Sequence, residues 1–465
     1  MTKRMNNYMY DMSSQFNSFY KMAVVLPADK QNELREKRKL NIQRLKDGLK
    51  EYNDEHGTNY KICENRIQGS LAMSTVVQND SNDYDIDVAI VFEDENLGEL
   101  GAQAIRKIVA DALKRKTKQF NTEPDVKTSC VRIKYSDGYH VDFAVYKRHK
   151  ENDDSLEYTY EHAGADWSKR NVKAIEEWFT NEIDDKGKNL RKVIRLSKMF
   201  CKSKESWINM PSGLIQTVLC DEQYASDYSR IDECFYYTMK SIVDRLENDV
   251  YVNAPVDNGR ALVTRKIDEK RNENWKNRLS EKLDELNVLF DDNCTYEQAL
   301  NAWSSFFNNT YWNQLLSQLK ENRRAYGKYQ YRDTEQFIED MYAINDQYDV
   351  NIDCKVSANG FSPMSIKEFI STYFTNYGGF IPHGFSVKCK IRETNAPHYD
   401  KVLWKVRNVG DEAERQDDIR GQIQDRGREI CENTKFYGHH YIECYLIEKN
   451  ICIAIGHTDV PIARN

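Results

Sequence analysis

Residues 68–92 read QGSLAMSTVVQNDSNDYDIDVAIVF, and the second half of that stretch decides the fold. Asp85 and Asp87 stand one residue apart at the head of an apolar run. In a β-strand, residues two apart face the same way, so the two aspartates project together while Ile86, Val88, Ile90 and Phe92 form the opposite, buried face. Two carboxylates then share one rigid edge, about 7 Å apart by strand rise. Such a pair has to be neutralised by cations, and a divalent ion bound to oxygen ligands and a triphosphate does so. The stretch therefore predicts a metal site.

Composition narrows what surrounds it. At 465 residues the chain exceeds one ordinary core and suggests two or three domains. The 67 basic and 74 acidic side chains leave a net charge of −7, which argues against a broad grip on duplex nucleic acid. Small anionic ligands such as nucleotides, held in a local basic cleft, fit better. The 11 cysteines are scattered from Cys63 to Cys452 without a C-x-x-C pair, which points away from a zinc knuckle or a disulfide framework and towards reduced thiols. No signal pattern opens the chain and no apolar run approaches the ~20 residues that span a bilayer, so a cytoplasmic protein with no membrane partner is expected.

Outward from the opening stretch, the aromatics of residues 1–20 read as a tail packed on the main body. Residues from Ala28 to about Asn53 are dense in helix formers, with Leu34, Leu40, Ile42, Leu45 and Leu49 on an apolar side. They predict a long helix resting on the catalytic body. A second helix is expected from Gly101 to Phe120. Ser136-Asp137-Gly138 marks a hairpin between CVRIKY and YHVDFAVY. On its second strand Asp142 shares a face with Ala144 and Tyr146, so a third carboxylate arrives under the same facing rule as Asp85 and Asp87. Three carboxylates on neighbouring strands suit two divalent ions roughly 3.5–4 Å apart.

Beyond Tyr158 the pattern turns helical. Helices are predicted over Trp167–Phe179, over GKNLRKVIRLSKMFCKSK, after Pro211-Ser212, over Asp232–Asn248 and from Lys266 to Trp303. A polar connector rich in Tyr and Asn runs from Tyr311 to about Asp349. After it come short β-rich runs, FSVKCKI, VLWKVRN and HYIECYLIEKNICIAIG. The predicted domains are 1–160, an N-terminal spine helix with the catalytic core; 161–345, a helical subdomain completing the nucleotide cleft; and 346–465, a small C-terminal domain.

Gly-Ser, then D-x-D on a strand, then one Asp on a later strand is an order that resembles the polymerase β-like nucleotidyltransferases. The form is similar to the cGAS/DncV-like nucleotidyltransferases (CD-NTases, or SMODS proteins) of bacterial anti-phage signalling. QGS at 68–70, YDIDVAIVF at 84–92, HVDFAVY at 140–146 and the basic helix plus PSG at 190–213 carry this, over residues 1 to about 310. VLWKVRNVGDEAERQDDIRGQI and ENTKFYGHHYIECYLIEKNICIAIG resemble the AGS-C domain, a sensor-type module.

The resemblance implies an α+β protein: a polymerase β-like core, its mixed sheet flanked by helices, with a helical subdomain and a small C-terminal α/β domain. It implies metal-dependent joining of nucleoside triphosphates into a cyclic or short linear oligonucleotide messenger, with release of pyrophosphate and a downstream effector protein that senses the product. Asp85, Asp87 and Asp142 would be catalytic and would hold two Mg²⁺ or Mn²⁺ ions. Gly69, Ser70, Lys198 and Ser212 would contact the triphosphate, and Gln68 a nucleotide. Plainer readings stand beside these: Ser212 as a helix cap, Lys198 as a solvated lysine, His140 as a strand residue facing aside, and Trp404 and Tyr437 as core. As candidate ligand contacts of the tail, Trp404 and Tyr437 stand with Lys405, Arg407, Arg420, His439 and His440. The polar, acidic loop Gln78–Asp83 departs from relatives that carry Arg or Pro near there. Single-nucleotide transfer to a protein or RNA, and an idle nucleotide-binding sensor, are the alternatives.

Overall fold

The computed structural model describes residues 8–78, 83–152, 155–257, 259–322, 334–408, 413 and 420–462. The chain divides into two compact units, 1–325 and 326–465.

The first unit is built on a seven-stranded mixed sheet. Its strands are β1 (Ile62–Gln68), β2 (Asp85–Glu93), β3 (Asp125–Val126), β4 (Val131–Lys134), β5 (His140–His149), β6 (Thr159–Ala163) and β7 (Trp167–Lys169). The order is β1-β2-β5-β4-β3, with β6 pairing β5 and β7. β2 and β5 run parallel, and the β4–β5 hairpin turns at the predicted Ser136-Asp137-Gly138. Ile86, Val88, Ile90 and Phe92 of β2 and Val141, Phe143 and Val145 of β5 enter one core. On the opposite face Ala89, Val91 and Tyr146 pack with Tyr160 and Val172. β2 is thus buried on both sides over most of its length, and only its leading end is left for polar groups.

Helix α1 (Ser13–Phe19) carries the aromatic tail inward, with Phe16 and Phe19 fully buried. Phe16 packs edge-on against Trp303, Phe307 and Trp312. Helix α2 (Ala28–His56) lies against α4 (Ala102–Lys116), and Gly48 makes their close approach. A Cβ on Gly48 would overlap the Ala112 carbonyl. Leu40, expected on the apolar side of α2, is instead 47% exposed, one step off the stripe formed by Leu34, Ile42, Leu45 and Leu49. The short helix α3 (Gly69–Ala72) follows β1 directly.

The helical portion comprises α5 (Ala174–Lys186), α6 (Asn189–Cys201), α7 (Gly213–Glu222), α8 (Ile231–Asn248), α9 (Lys266–Glu285), α10 (Tyr296–Phe307) and α11 (Thr310–Asn322). Trp167, predicted at a helix start, sits on strand β7, with its indole N–H on the Leu100 carbonyl. The helix begins only at Ala174, because β7 first completes the sheet beside β6. Helix α6 is central: its predicted basic face is not solvated, and Arg191, Arg195 and Lys198 are all buried.

Among its described residues the second unit contains two sheets and short helices. One sheet has the order β10-β9-β11-β14, the other β13-β12-β15-β16-β8. Their strands are β8 (Ala343–Ile344), β9 (Val350–Ala358), β10 (Phe361–Ser365), β11 (Ser386–Thr394), β12 (Lys401–Arg407), β13 (Ile423–Asp425), β14 (Glu429–Asn433), β15 (Gly438–Glu448) and β16 (Ile451–Ile462), with α12 (Ile366–Thr372) and α13 (Phe374–Tyr377) between β10 and β11. Both sheets contribute to one apolar core. Cys354 and Cys389, expected as thiols, form a disulfide. They are cross-strand partners in the β9–β11 ladder, with Cα atoms 4.0 Å apart, a proximity that 35 residues of separation do not reveal.

Among the described residues no helix is long and apolar enough to cross a membrane.

Candidate active site

The polar groups at the leading end of β2 open into a cleft of about 630 Å³. Gln68, Gly69, Ser70, Asp85, Asp87, Asp142 and Lys198 all line it. Each is placed by backbone register. Gln68 ends β1 opposite Asp87, and Asp87 stands beside Asp142 across the parallel β2–β5 pair. Gly69 has φ 66°, a left-handed conformation that favours glycine, and this lets β1 turn sharply into α3. A Cβ at that position would overlap Asp87 Oδ2. The glycine therefore serves both the turn and the space for the carboxylate.

Three carboxylates at one strand end raise an electrostatic problem. Burial of its carboxyl, then Asp85 and Asp142, push Asp87 up to about 7, although Arg132 and Lys198 pull the other way. Asp142 is 8% exposed, and Asp85 is open. Arg132 answers part of the charge: its Nε and Nη2 each donate to Asp142 at 2.6 Å, and Nη2 also reaches Asp85 Oδ1 at 3.1 Å.

The opposite wall comes from α6 and α7. Lys198 donates to Thr75 Oγ1 at 2.6 Å and to the Thr75 carbonyl at 3.2 Å, just beyond the Gly69-Ser70 turn. Burial, helped by Arg195, pushes this lysine down to about 7. Lys202, one turn on, also lines the cleft and is lowered by burial, with Asp83 and Asp85 opposing. Ser212 caps α7, its hydroxyl accepting the Ile215 N–H at 3.3 Å. Its neighbours Pro211 and Gly213 line the cleft, whereas Ser212 is not among the lining residues. The plainer reading of Ser212 as a cap describes what its side chain does here. Gln68 is tied through Nε2 to the Val172 carbonyl at 3.1 Å.

Several cleft residues were not anticipated. Glu176, in the first turn of α5, is pushed up to about 7 by burial, while its own N–H and that of Gly69 draw it down. Its Oε2 has no hydrogen-bond partner. At the far end stand Tyr146, Arg170, Asp257, Arg260 and His162, with the imidazole pushed down to about 4 by burial and by Arg170, Arg106 and Arg260. Arg132 had a signal in the sequence, because a hairpin centred on Asp137 pairs residue 132 with 142. The loop Gln78–Asp83 was singled out in the sequence, and its residues 79–82 lie outside the described residues.

The donor set, three carboxylates with hard oxygens whose closeness helps to raise Asp87, fits Mg²⁺ or Mn²⁺. Among the described residues no trio of His, Cys, Asp or Glu already converges as a metal-binding group. Arg132 holds two of the three carboxylates in this arrangement.

Comparison with known proteins agrees with this geometry. Residues 63–146 match the family described as cyclic GMP-AMP synthase DncV-like, nucleotidyltransferase domain. Residues 332–463 match the adenylyl/guanylyl and SMODS C-terminal sensor domain. The two matches mark a DncV-like nucleotidyltransferase domain followed by a sensor-type domain. The chain is 25% identical over 422 residues to a cyclic GMP-AMP synthase of Escherichia albertii, covering 86% of this chain and 84% of that one. Its fold is shared with Vibrio cholerae DncV, a cyclic AMP-GMP synthase solved with a linear pppA(3′,5′)pG intermediate: TM-score 0.54, 16% identity, 66% of this chain and 97% of that one. The same enzyme solved with GTP and 5MTHFGLU2 gives TM-score 0.54 at 16% identity, over 67% and 99%. In this nucleotidyltransferase the first family match spans β1 through Tyr146 of β5, and so takes in the turn and all three aspartates.

In the second unit five of the candidate ligand contacts, Trp404, Lys405, Arg407, Arg420 and His440, are engaged internally. Trp404 is 1% exposed and gives its indole N–H to the Gly427 carbonyl. Lys405 and Arg407 pair with Glu335, and Arg420 with Glu432. His440 is buried against the Phe436 carbonyl.

Proposed function

We propose that this cleft joins two nucleoside triphosphates, releases pyrophosphate and closes the product into a cyclic dinucleotide messenger. The observation that carries the reading is the in-register pair Asp87 and Asp142, with Asp85 two residues away, at the mouth of the Gly69-Ser70 turn. The activity named for the Escherichia albertii relative supports the cyclic product.

Asp85, Asp87 and Asp142 would hold two Mg²⁺ or Mn²⁺ ions. When bound, such ions lower the pKa of an acceptor hydroxyl and offset charge on a triphosphate. The chain's own groups do the rest. The backbone N–H groups and hydroxyl of Gly69-Ser70 face the donor phosphates, as turn amides do at anion sites. The Glu176 carboxyl gives up the Gly69 N–H as the phosphates arrive. Lys198 and Lys202 supply positive charge to the phosphate tail, and an anion beside Lys198 opposes the burial that lowers it and favours its charged form. Gln68 orients a nucleotide from the end of β1. Orientation of the acceptor hydroxyl in line with the donor phosphorus is where the binding energy is used.

On this reading residues 1–160 act as catalytic core and the rest of the first unit, to residue 325, as the subdomain completing the cleft. The second unit acts as a sensor-type module and takes in β8 (Ala343–Ile344), which the sequence reading places before the boundary at 345. The protein works in the bacterial cytoplasm, and its product acts on a downstream effector in anti-phage defence. Purified protein given labelled NTPs and Mg²⁺ or Mn²⁺ tests this directly, with a phosphatase-resistant small product expected. Label retained on protein or RNA would replace this reading by single-nucleotide transfer.

A further inference from the structure

Arg132 lies on β4 directly opposite Asp142 on β5. Its guanidinium forks across both oxygens of that carboxylate at 2.6 Å and extends to Asp85 at 3.1 Å. Its side chain is 21% exposed and that of Asp142 12%, so the fork is partly shielded from water. A planar, permanently charged guanidinium suits this bidentate contact in a way that the compact ammonium of lysine does not.

The fork takes one lone-pair direction on each Asp142 oxygen, the side on which an ion chelated by that carboxylate would also sit. Mg²⁺ demands near-octahedral geometry at roughly 2.0–2.1 Å from its ligands. A guanidinium and a divalent ion on the same faces of Asp85 and Asp142 would repel each other. Three carboxylates against one guanidinium still leave a negative site, so an ion is attracted even with Arg132 in place.

We propose that Arg132 is the built-in counter-ion of the aspartate cluster: it holds Asp85 and Asp142 together when no divalent ion is bound, and withdraws from them when one enters. It is a positioning residue, acting through the two carboxylates. This rests on the reading of Asp85, Asp87 and Asp142 as a cation site. A purely structural clamp on Asp142 makes the opposite prediction, because losing a clamp weakens ion binding while losing a competitor strengthens it.

The test is Mn²⁺ binding by the full-length protein, followed through the electron paramagnetic resonance of free Mn²⁺, with thermal unfolding in EDTA and in saturating Mn²⁺. Arg132→Met is expected to bind Mn²⁺ about ten-fold more tightly than wild type. It should also unfold at a lower temperature in EDTA and gain more from Mn²⁺ than wild type gains. Arg132→Lys, which keeps the charge and loses the fork, should bind about three-fold more tightly, and it carries the test if the methionine variant does not fold. Unchanged or weaker binding in the folded variants overturns the proposal. If Asp85→Asn/Asp87→Asn abolishes Mn²⁺ binding while the Arg132 variants match wild type, the cation site stands and the counter-ion role falls. If wild type binds no Mn²⁺, both fall together.

Discussion

At the scale of single residues, the site depends on very short approaches. Gly69 combines a φ of 66° with an Asp87 carboxylate occupying the room a side chain would need. Alanine there meets both a left-handed backbone, costing roughly 1–2 kcal/mol, and a steric conflict with a candidate metal ligand. Gly69→Ala is expected to lower product formation by at least about 100-fold, equivalent to roughly 2.7 kcal/mol. The midpoint of thermal unfolding should fall by only a few degrees, because the residue sits at the rim of the core. Initial rates and a melting curve on the same sample check this. His457 makes a second case, in the second unit. Burial would lower it, but the Asp459 hydrogen bond and the Glu443 carboxylate outweigh burial and raise it to about 9. A group raised in the folded state contributes stability that is complete below its unfolded value near 6.5 and is lost as pH climbs through about 9. The stability of this unit should therefore fall by on the order of 2–3 kcal/mol between those limits, and His457→Gln should flatten the dependence in pH-series denaturation.

At the scale of elements, period and register divided what was legible. The alternation in DIDVAIVF and HVDFAVY told which residues of β2 and β5 enter the main core, and hence that the three aspartates share a side, but not that Ala89 and Val91 on the aspartate side are buried as well. A two-residue period permits only that arrangement once the apolar side is buried. Helix α2 was equally legible, apart from Leu40. What failed depended on pairing between distant segments. Trp167 reads as helical because β7 is specified only by its partner β6, and Asp166-Trp167-Ser168 mimics a helix start. Cys354 and Cys389 meet through the β9–β11 register alone. The alternative of Lys198 as a solvated lysine falls away, because burial of Arg191 and Lys198 follows from neighbours that the helix sequence does not name. Gly48 tests the packing of α2 on α4. A Cβ there would overlap the Ala112 carbonyl, so Gly48→Val should push the helices apart and cost about 1–3 kcal/mol in chemical denaturation.

At the scale of the whole molecule, the site residues named above all fall within residues 1–325, and the sensor-type match falls within 326–465. A chain ending at residue 325 is accordingly expected to fold and to retain nucleotidyl transfer, measured by circular dichroism and by pyrophosphate release. Loss of folding on truncation would show that the units are not independent. The central claim is that Asp85, Asp87 and Asp142 form the centre that joins nucleotides. Its most direct test is incubation of purified wild type and Asp85→Asn/Asp87→Asn protein with α-³²P-labelled NTPs and Mg²⁺ or Mn²⁺. The account predicts a small phosphatase-resistant labelled product and pyrophosphate from wild type alone. Equal product from both proteins, or none from either under every nucleotide and metal combination, would contradict it.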